Sequence, residues 1–219
     1  MTPLTRNGIA ARAARDVPDG AFVNLGIGMP TLIANYIPAG REVFLHSENG
    51  IIGVGPAPAR GQEDRDVIDA GKSPITILPG ASIFDSALSF AIMRGGHLDV
   101  AALGGFQVSV DGDLANWSTG EAGLPGVGGA MDLACGAGAI WVLMEHTTKD
   151  GKPRIVNKCT YPLTAPRVVK RIYTSLAVID VTPEGLLVRE IVPSLDMAGL
   201  QAVTEAPLRA APELERLAA

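Results

Sequence analysis

Short apolar runs, each cut off by glycine, proline, asparagine or aspartate, most restrict the folds open to this chain. Ala21–Leu25, Phe44–His46, Ile75–Leu78, Asp99–Leu103 and Ile140–Met144 are short and rich in β-favouring side chains, so they read as buried strands. Helix-forming stretches alternate with them. Residues 5–16 are Ala-rich with arginines at 12 and 15 and end in the turn Val17-Pro-Asp-Gly20. A short helix is expected from Thr31 and a longer one from Phe84 to Met93, with Asp85 and Arg94 placed to suit its dipole. Pro162–Ile172 and Asp196–Val203 are read as two more helices. This alternation predicts the α/β class, with an open, mostly parallel sheet and helices on both faces. Leu176–Val181 and Leu186–Val192, split by Thr182-Pro-Glu-Gly185, predict antiparallel additions. Residues 1–205 are expected to form one domain, and the Ala/Pro-rich residues 206–219 a loosely held tail.

Composition narrows the function classes. A formal net charge of −5 and the lack of any dense basic cluster argue against a nucleic-acid binder. No apolar run approaches membrane-spanning length and no signal-peptide core follows Met1, so a cytoplasmic location is expected. Cys135 and Cys159 lie far apart without a metal or redox spacing and are read as core thiols. His46, His97 and His146 lack paired ligand spacing, so no metal site is expected.

The chemistry is sought where a strand meets a polar turn. Arg41–Leu45 leads into His46-Ser-Glu-Asn-Gly50, and Ile51-Ile-Gly-Val-Gly-Pro56 follows, where glycines and proline oppose a regular continuation. Glu48 is thereby set at the carboxyl end of a strand, where open α/β sheets bind ligands. Asn49 and Gly50 tolerate left-handed backbone angles and can turn N–H groups inward. On spacing alone a solvated strand-to-loop turn accounts for Glu48 more simply. Gly26-x-Gly28 lacks the third glycine of a dinucleotide fingerprint, because Thr31 stands there; a glycine turn approachable by a ligand remains. Ser47 lacks the Gly-x-Ser-x-Gly elbow and is read as a turn support, with His46 as a packed, hydrogen-bonded histidine. Gly53–Gly71 reads as a long loop with a solvated, charged middle at 60–66. Leu114–Gly138 reads as a glycine-dependent loop pinned by Trp117, Leu124 and Met131, with the amides of Gln107 and Asn116 serving backbone groups.

Leu45-His-Ser-Glu-Asn-Gly-Ile-Ile-Gly53 resembles the active-site signature of the B (or β) chain of family I 3-oxoacid CoA-transferases. Asn24-Leu-Gly-Ile-Gly28, Ala70-Gly-Lys72, Leu78-Pro-Gly-Ala-Ser82, Met93-Arg-Gly-Gly-His97, Gly112-Asp-Leu-Ala-Asn-Trp117 and Gly128-Gly-Ala-Met-Asp132 fall in the order of that family, from about residue 5 to about residue 205. The resemblance implies an open α/β fold shared with ribose-5-phosphate isomerase-like proteins. It implies Glu48 as the carboxylate that carries CoA as a thioester, and the Gly129 N–H as an oxyanion donor. It further implies CoA contacts from Asn24, Lys72, Gly26 and Gly28, and a substrate loop containing Asn49, Gly50 and Gly128. Its other implications are no cofactor beyond coenzyme A as substrate, an obligatory A subunit in a heterodimer or heterotetramer, and an acyl-CoA and a 3-oxo acid as reactants. Asn116–Pro125 and Phe44–Glu48 are more similar to the 3-oxoadipate enzymes, whereas Leu78–Ser86 and Met144–Gly151 are more similar to the acetoacetate enzymes. The former is favoured because its stretch lies beside the oxyanion glycine. A hydrolase using the same glutamyl thioester and a non-catalytic metabolite-binding module are the competing classes.

Overall fold

The computed structural model describes residues 2–120 and 126–217. Helix α1 (Arg6–Asp16) is capped by Thr5, whose Oγ1 accepts from Gly8 N at 3.1 Å, a contact of the kind that contributes about 1 kcal/mol. Its buried residues, Ile9, Ala10, Ala13 and Ala14, recur on the helical period, and small alanines let the helix approach the sheet closely. Strand β1 (Phe22–Leu25) follows, then a 3₁₀ helix (Pro30–Tyr36) and strand β2 (Phe44–Ser47). Next come β3 (Ile51–Val54), β4 (Ile77–Ile83), α2 (Ser86–Arg94) and β5 (Val100–Gly104). A small sheet is made by β6 (Gln107–Ser109), β7 (Leu114–Ala115) and β9 (Ile155–Val156). Helix α3 (Ala130–Gly136), β8 (Ala139–Met144), β10 (Val169–Thr174), β11 (Ala177–Thr182), β12 (Gly185–Ile191), α4 (Met197–Ala202) and β13 (Leu208–Arg216) complete the chain.

The ten-stranded main sheet runs β13-β12-β11-β10-β8-β5-β1-β2-β3-β4. Its centre, β10-β8-β5-β1-β2, is wholly parallel, and antiparallel pairs flank it at β10/β11, β11/β12, β2/β3 and β3/β4. In the central block the chain adds β2 on one side of β1 and β5 on the other. That reversal makes the carboxyl ends of β1, β2 and β5 the crevice in which ligands of such sheets bind. Residues Val100–Leu103 and Ile140–Met144 are buried, as expected of strands covered on both faces. Helix α1 packs with the 3₁₀ helix, and α2 packs with α3.

Five expectations are corrected. The chain does continue regularly after Gly50, because Ile51–Val54 pairs antiparallel with β2 and makes Glu48 the tip of a hairpin. The buried strand read at Ile75–Leu78 is instead β4 at Ile77–Ile83, largely exposed and with Pro79–Ser82 inside it, an edge strand whose outer side needs no donor from proline. Residues 162–168 are irregular, since Pro162 and Pro166 withhold N–H groups, and the β-branched Val169–Ile172 that follows pairs with β8. Ala130–Gly136, expected within a loop, is helical: its Ala, Met and Leu favour a helix once the flanking glycines have turned the chain. Finally, residues 208–216 are not a loose tail. They pair in parallel with β12 and bring Ala211 and Leu217 into the core. Leu124 and the 121–125 part of the 3-oxoadipate-like stretch lie outside the described residues.

Deleting residues 207–219 would strip those two side chains from the core and bare the edge of β12. Removing that burial costs about 2 kcal/mol, or roughly 4–8 °C in Tm for a chain this long. Thermal unfolding of the truncated chain checks it; an unchanged Tm would mean that β13 contributes nothing.

Candidate active site

Four backbone and side-chain ties hold the β2–β3 hairpin tip. Gly50 N donates to Ser47 O at 2.9 Å and closes the turn, while Phe84 N donates to Gly50 O at 2.9 Å from the far side. Gly50 has φ +113, and a Cβ there would collide with the Phe84 carbonyl, so only glycine fits. Ser47 Oγ accepts from Ala70 N at 2.9 Å, and Asn49 Nδ2 donates to Ile68 O at 2.8 Å. The loop after β3 is thereby fastened to both sides of Glu48. Ser47 is the turn support expected of it, whereas the Asn49 amide is engaged with the loop backbone.

Behind the tip His46 is buried, and burial pushes its pKa down to about 4, so the ring is neutral at working pH. Nδ1 sits 3.0 Å from the Asn24 amide nitrogen, which makes it the acceptor and leaves Nε2–H to donate to Ser89 Oγ, also at 3.0 Å. Asn24 also donates to His46 O at 3.2 Å. At 2 % exposure it is packed inside the sheet and braces β2 against β1. The Asn24 amide is thus tied to His46 on the neighbouring strand.

Glu48 itself is half-buried, and no described residue donates a hydrogen bond to its carboxylate. Burial first, and the Asp132 carboxylate second, raise its pKa above the ordinary glutamate range. Against it lies Gly129, buried, at the residue preceding α3. A Cβ built there would stand 3.0 Å from Glu48 Cδ and 3.2 Å from Oε1. Gly129 has φ −73, so this position excludes a side chain by space and not by backbone conformation. Gly128, at φ +57, supplies the preceding turn.

The glycine turn after β1 closes the same end of the sheet. Gly26 N donates to Ala102 O at 2.8 Å, and a Cβ on Gly26 would crowd that carbonyl and Leu103. Gly28 has φ +94, and its carbonyl accepts from Thr31 Oγ1 at 2.8 Å. A Cβ on Gly71 would touch Ile27, so the Gly26–Gly28 turn and the Lys72 turn are neighbours. Lys72 is exposed and holds φ +63, with its N–H on Asp69 O at 2.9 Å. The sequence-derived set thus gathers at one sheet end, with Asn24 in the buried layer behind the hairpin tip.

Two further groups near Gly129, Asp132 and Arg94, lie in the family-like motifs but are given no site role by the sequence. Asp132 lies one turn into α3 from Gly129, and Arg94 Nε reaches its Oδ1 at 2.6 Å from the end of α2. The signal that finds them is the helical spacing of Gly129 and Asp132, which is hidden as long as the segment reads as a loop. Cys135 is exposed and so is not the core thiol expected of it, while Cys159 is partly buried, its thiol pushed up to about 11 by burial. Gln107 Oε1 accepts from Thr160 N at 2.8 Å and Asn116 Oδ1 accepts from Thr164 Oγ1 at 2.6 Å, so both serve the fold. Two clefts, of about 540 Å3 between the 3₁₀ helix and β2–β4 and about 150 Å3 beside His46 and Ser47, leave Glu48 outside their walls. No helix among the described residues is long and apolar enough to cross a membrane.

With this geometry in hand, residues 6–198 match the family described as Coenzyme A transferase, and the chain belongs to that family. It is 58% identical over 206 residues to the B subunit of the 3-oxoadipate CoA-transferase of Pseudomonas putida, covering 94% of this chain and 96% of that protein. To the B subunit of the succinyl-CoA:3-ketoacid coenzyme A transferase of Helicobacter pylori it is 45% identical over 201 residues, 92% of this chain and 97% of that one. The solved acyl-CoA transferase YdiF of Escherichia coli O157:H7 shares the fold, with a TM-score of 0.78 at 21% identity. The match covers 97% of this chain and 43% of that one.

Replacing Gly129 by alanine places a methyl group where the Glu48 carboxylate lies. The fold is expected to survive, since the backbone angles suit alanine, while transfer is expected to fall by at least about a hundredfold on the reading proposed below, in which Glu48 and the Gly129 N–H both act. Steady-state rates beside a circular-dichroism melt check this pair of outcomes.

Proposed function

We propose that this chain is the catalytic B subunit of a CoA-transferase that moves CoA from succinyl-CoA to a 3-oxo acid, with 3-oxoadipate as the favoured acceptor. The observation that carries the reading is the half-buried carboxylate of Glu48, held on a clamped hairpin tip against a buried glycine backbone. A carboxylate stripped of hydrogen bonds is a better nucleophile than a solvated one, and it needs no base to activate it.

In this reading the Glu48 carboxylate attacks the thioester carbonyl and expels CoA thiolate, leaving an acyl–glutamyl anhydride. The thiolate then attacks the Glu48 carbonyl and releases succinate, which leaves CoA on the glutamate as a thioester. The incoming 3-oxo acid carboxylate attacks that thioester, the thiolate leaves, and its return to the acyl carbonyl yields the new acyl-CoA and free Glu48. No proton, electron or metal is consumed, so coenzyme A as substrate is the one cofactor-like group required. Each tetrahedral intermediate carries an oxyanion, for which the Gly129 N–H is one donor. Lys72 and the Gly26–Gly28 turn, neighbours at the same sheet end, serve the anionic CoA.

A second donor is assigned to an A subunit, and full turnover is assigned to a heterodimer or heterotetramer. Both relatives are B subunits, which supports this, as does a solved neighbour whose chain is more than twice as long. The cytoplasm, where acyl-CoA pools are held, is the proposed location. The 58% identity to a 3-oxoadipate enzyme favours that acceptor over acetoacetate, which the 45% relative and the Leu78–Ser86 stretch support as the alternative.

The test is trapping. Incubating the assembled complex with succinyl-CoA, reducing with borohydride and mapping the modified peptide is expected to tag Glu48, and Glu48→Ala is expected to abolish transfer. A tag on another residue, or retained transfer in Glu48→Ala, would sink the reading. Rapid release of free CoA without an acceptor acid would make the protein a hydrolase.

A further inference from the structure

We propose that the β3–β4 edge of the main sheet, together with the exposed side of α2, is the surface on which the A subunit seats. The proposal rests on the reading of this chain as a B subunit with Glu48 as its nucleophile. Three observations mark the surface. Strand β4 ends the row of ten and has no neighbour on its outer side among the described residues. The chain from 73 to 93 is largely exposed and almost without charge: twelve of its twenty-one residues are exposed, and Asp85 alone is charged, where the 19% average of the chain would place about four. Residues 51–59, which supply β3 and the turn after it, carry no charge at all. Large apolar side chains stand in water here: Ile83 is 69% exposed, Leu88 49% and Leu78 42%, and Met131 is exposed on α3, which packs with α2.

A sheet edge left to water is ordinarily guarded by charged side chains or by a covering element. No charge guards this one, since Asp85 is occupied as the cap of α2, accepting from Leu88 N at 2.8 Å. Loss of charge with retention of apolar side chains is the composition of the centre of a protein–protein interface. Pro79 and Gly80, the latter at φ +84, interrupt the row of donors along β4. The occupant therefore seats by side-chain packing and not by adding a strand. An apolar cleft of about 540 Å3, walled by Ile37, Phe44, Val54, Leu78 and Ala81 among others, opens beside β4 and offers a socket for it.

The occupant follows from what lies at the end of this surface. Ile83 pairs with Ile51, and Phe84 N donates to Gly50 O, so β4 runs directly into the hairpin tip that carries Glu48. A partner that brings a second oxyanion donor to Glu48 approaches over these residues. The opposite edge, β13, lies nine strands away, about 40 Å, and a chain seated there leaves the carboxylate out of reach. A second copy of this chain would offer a Gly129 already packed against its own Glu48. A different chain is the fit, and relatives named as B subunits imply one.

The assembled complex of this chain with its A subunit is labelled with hydroxyl radicals, and the modified peptides are measured by mass. Leu88 and Leu163 are the same residue type with similar exposure in this chain, 49% and 42%, and serve as target and reference. Leu88 is expected to be labelled at least about fivefold less than Leu163, as suits the dry centre of an interface; equal labelling overturns the proposal. The occupant is identified with p-benzoylphenylalanine placed at position 88, or at position 83 should that complex fail to assemble. After irradiation an adduct to the A subunit is expected, and an adduct to a second copy of this chain, or none, overturns the proposal. Borohydride trapping in the parent complex separates the two levels: a tag away from Glu48 defeats the underlying reading, whereas a tag on Glu48 with Leu88 labelled as fully as Leu163 defeats this one alone.

Discussion

Among the described residues nothing donates a hydrogen bond to the Glu48 carboxylate, which is half withdrawn from water, so its place has to be set by other contacts. Glu48 stays where it is because the chain on either side is fixed: Gly50 is gripped by Phe84, Ser47 by Ala70, and Asn49 by Ile68. Hydrogen bonds that would ordinarily go to the functional group go instead to its neighbours. Rigidity is thus supplied without lowering the basicity of the carboxylate, since each direct donor would stabilise its charge. Behind the tip the Asn24–His46–Ser89 chain does the same for β2, with a neutral ring whose two nitrogens are both satisfied.

Helix α2 links the two halves of the site. Phe84, just before its cap, and Ser89 in its first turn reach the hairpin, and its last residues reach α3 through Met93 and Arg94. The distance between Glu48 and Gly129 is therefore set by one short helix, although more than eighty positions separate them along the chain. The sheet order contributes the rest. Reversal of winding at β1 leaves a crevice into which the turns after β1 and β2 project together.

Much of this is legible in the residues. The central strands, α1, α2 and the late hairpin follow from apolar period and turn residues, because those segments obey local preference. The turn at Glu48 is legible as a turn but not as a hairpin, since glycines at 50 and 53 suppress the signal of a strand whose pairing they in fact permit: φ +113 and +92 let β3 fit closely against β4. Glycines hide helix α3 for the same reason, and with it Asp132. The tie from Asn24 to His46 is not legible, because no local property of either residue shows that they meet across β1 and β2. The terminal strand is hidden by an Ala/Pro-rich composition that resembles a tail. Its order comes from the waiting edge of β12, which no local property of residues 208–216 reveals.

Lys72 invites reasoning of another kind. A lysine at φ +63 occupies a conformation that glycine or asparagine would adopt with less strain, at a cost of the order of 1 kcal/mol. Selection for thermal endurance alone would drift this position toward glycine, the residue that stands at the comparable bends of Gly20, Gly40 and Gly61. On the proposed reading, in which Lys72 serves CoA, a cation kept at this bend records a compromise between strain and binding. Laboratory evolution of a hardier protein without substrate present would be the circumstance in which that lysine disappears first.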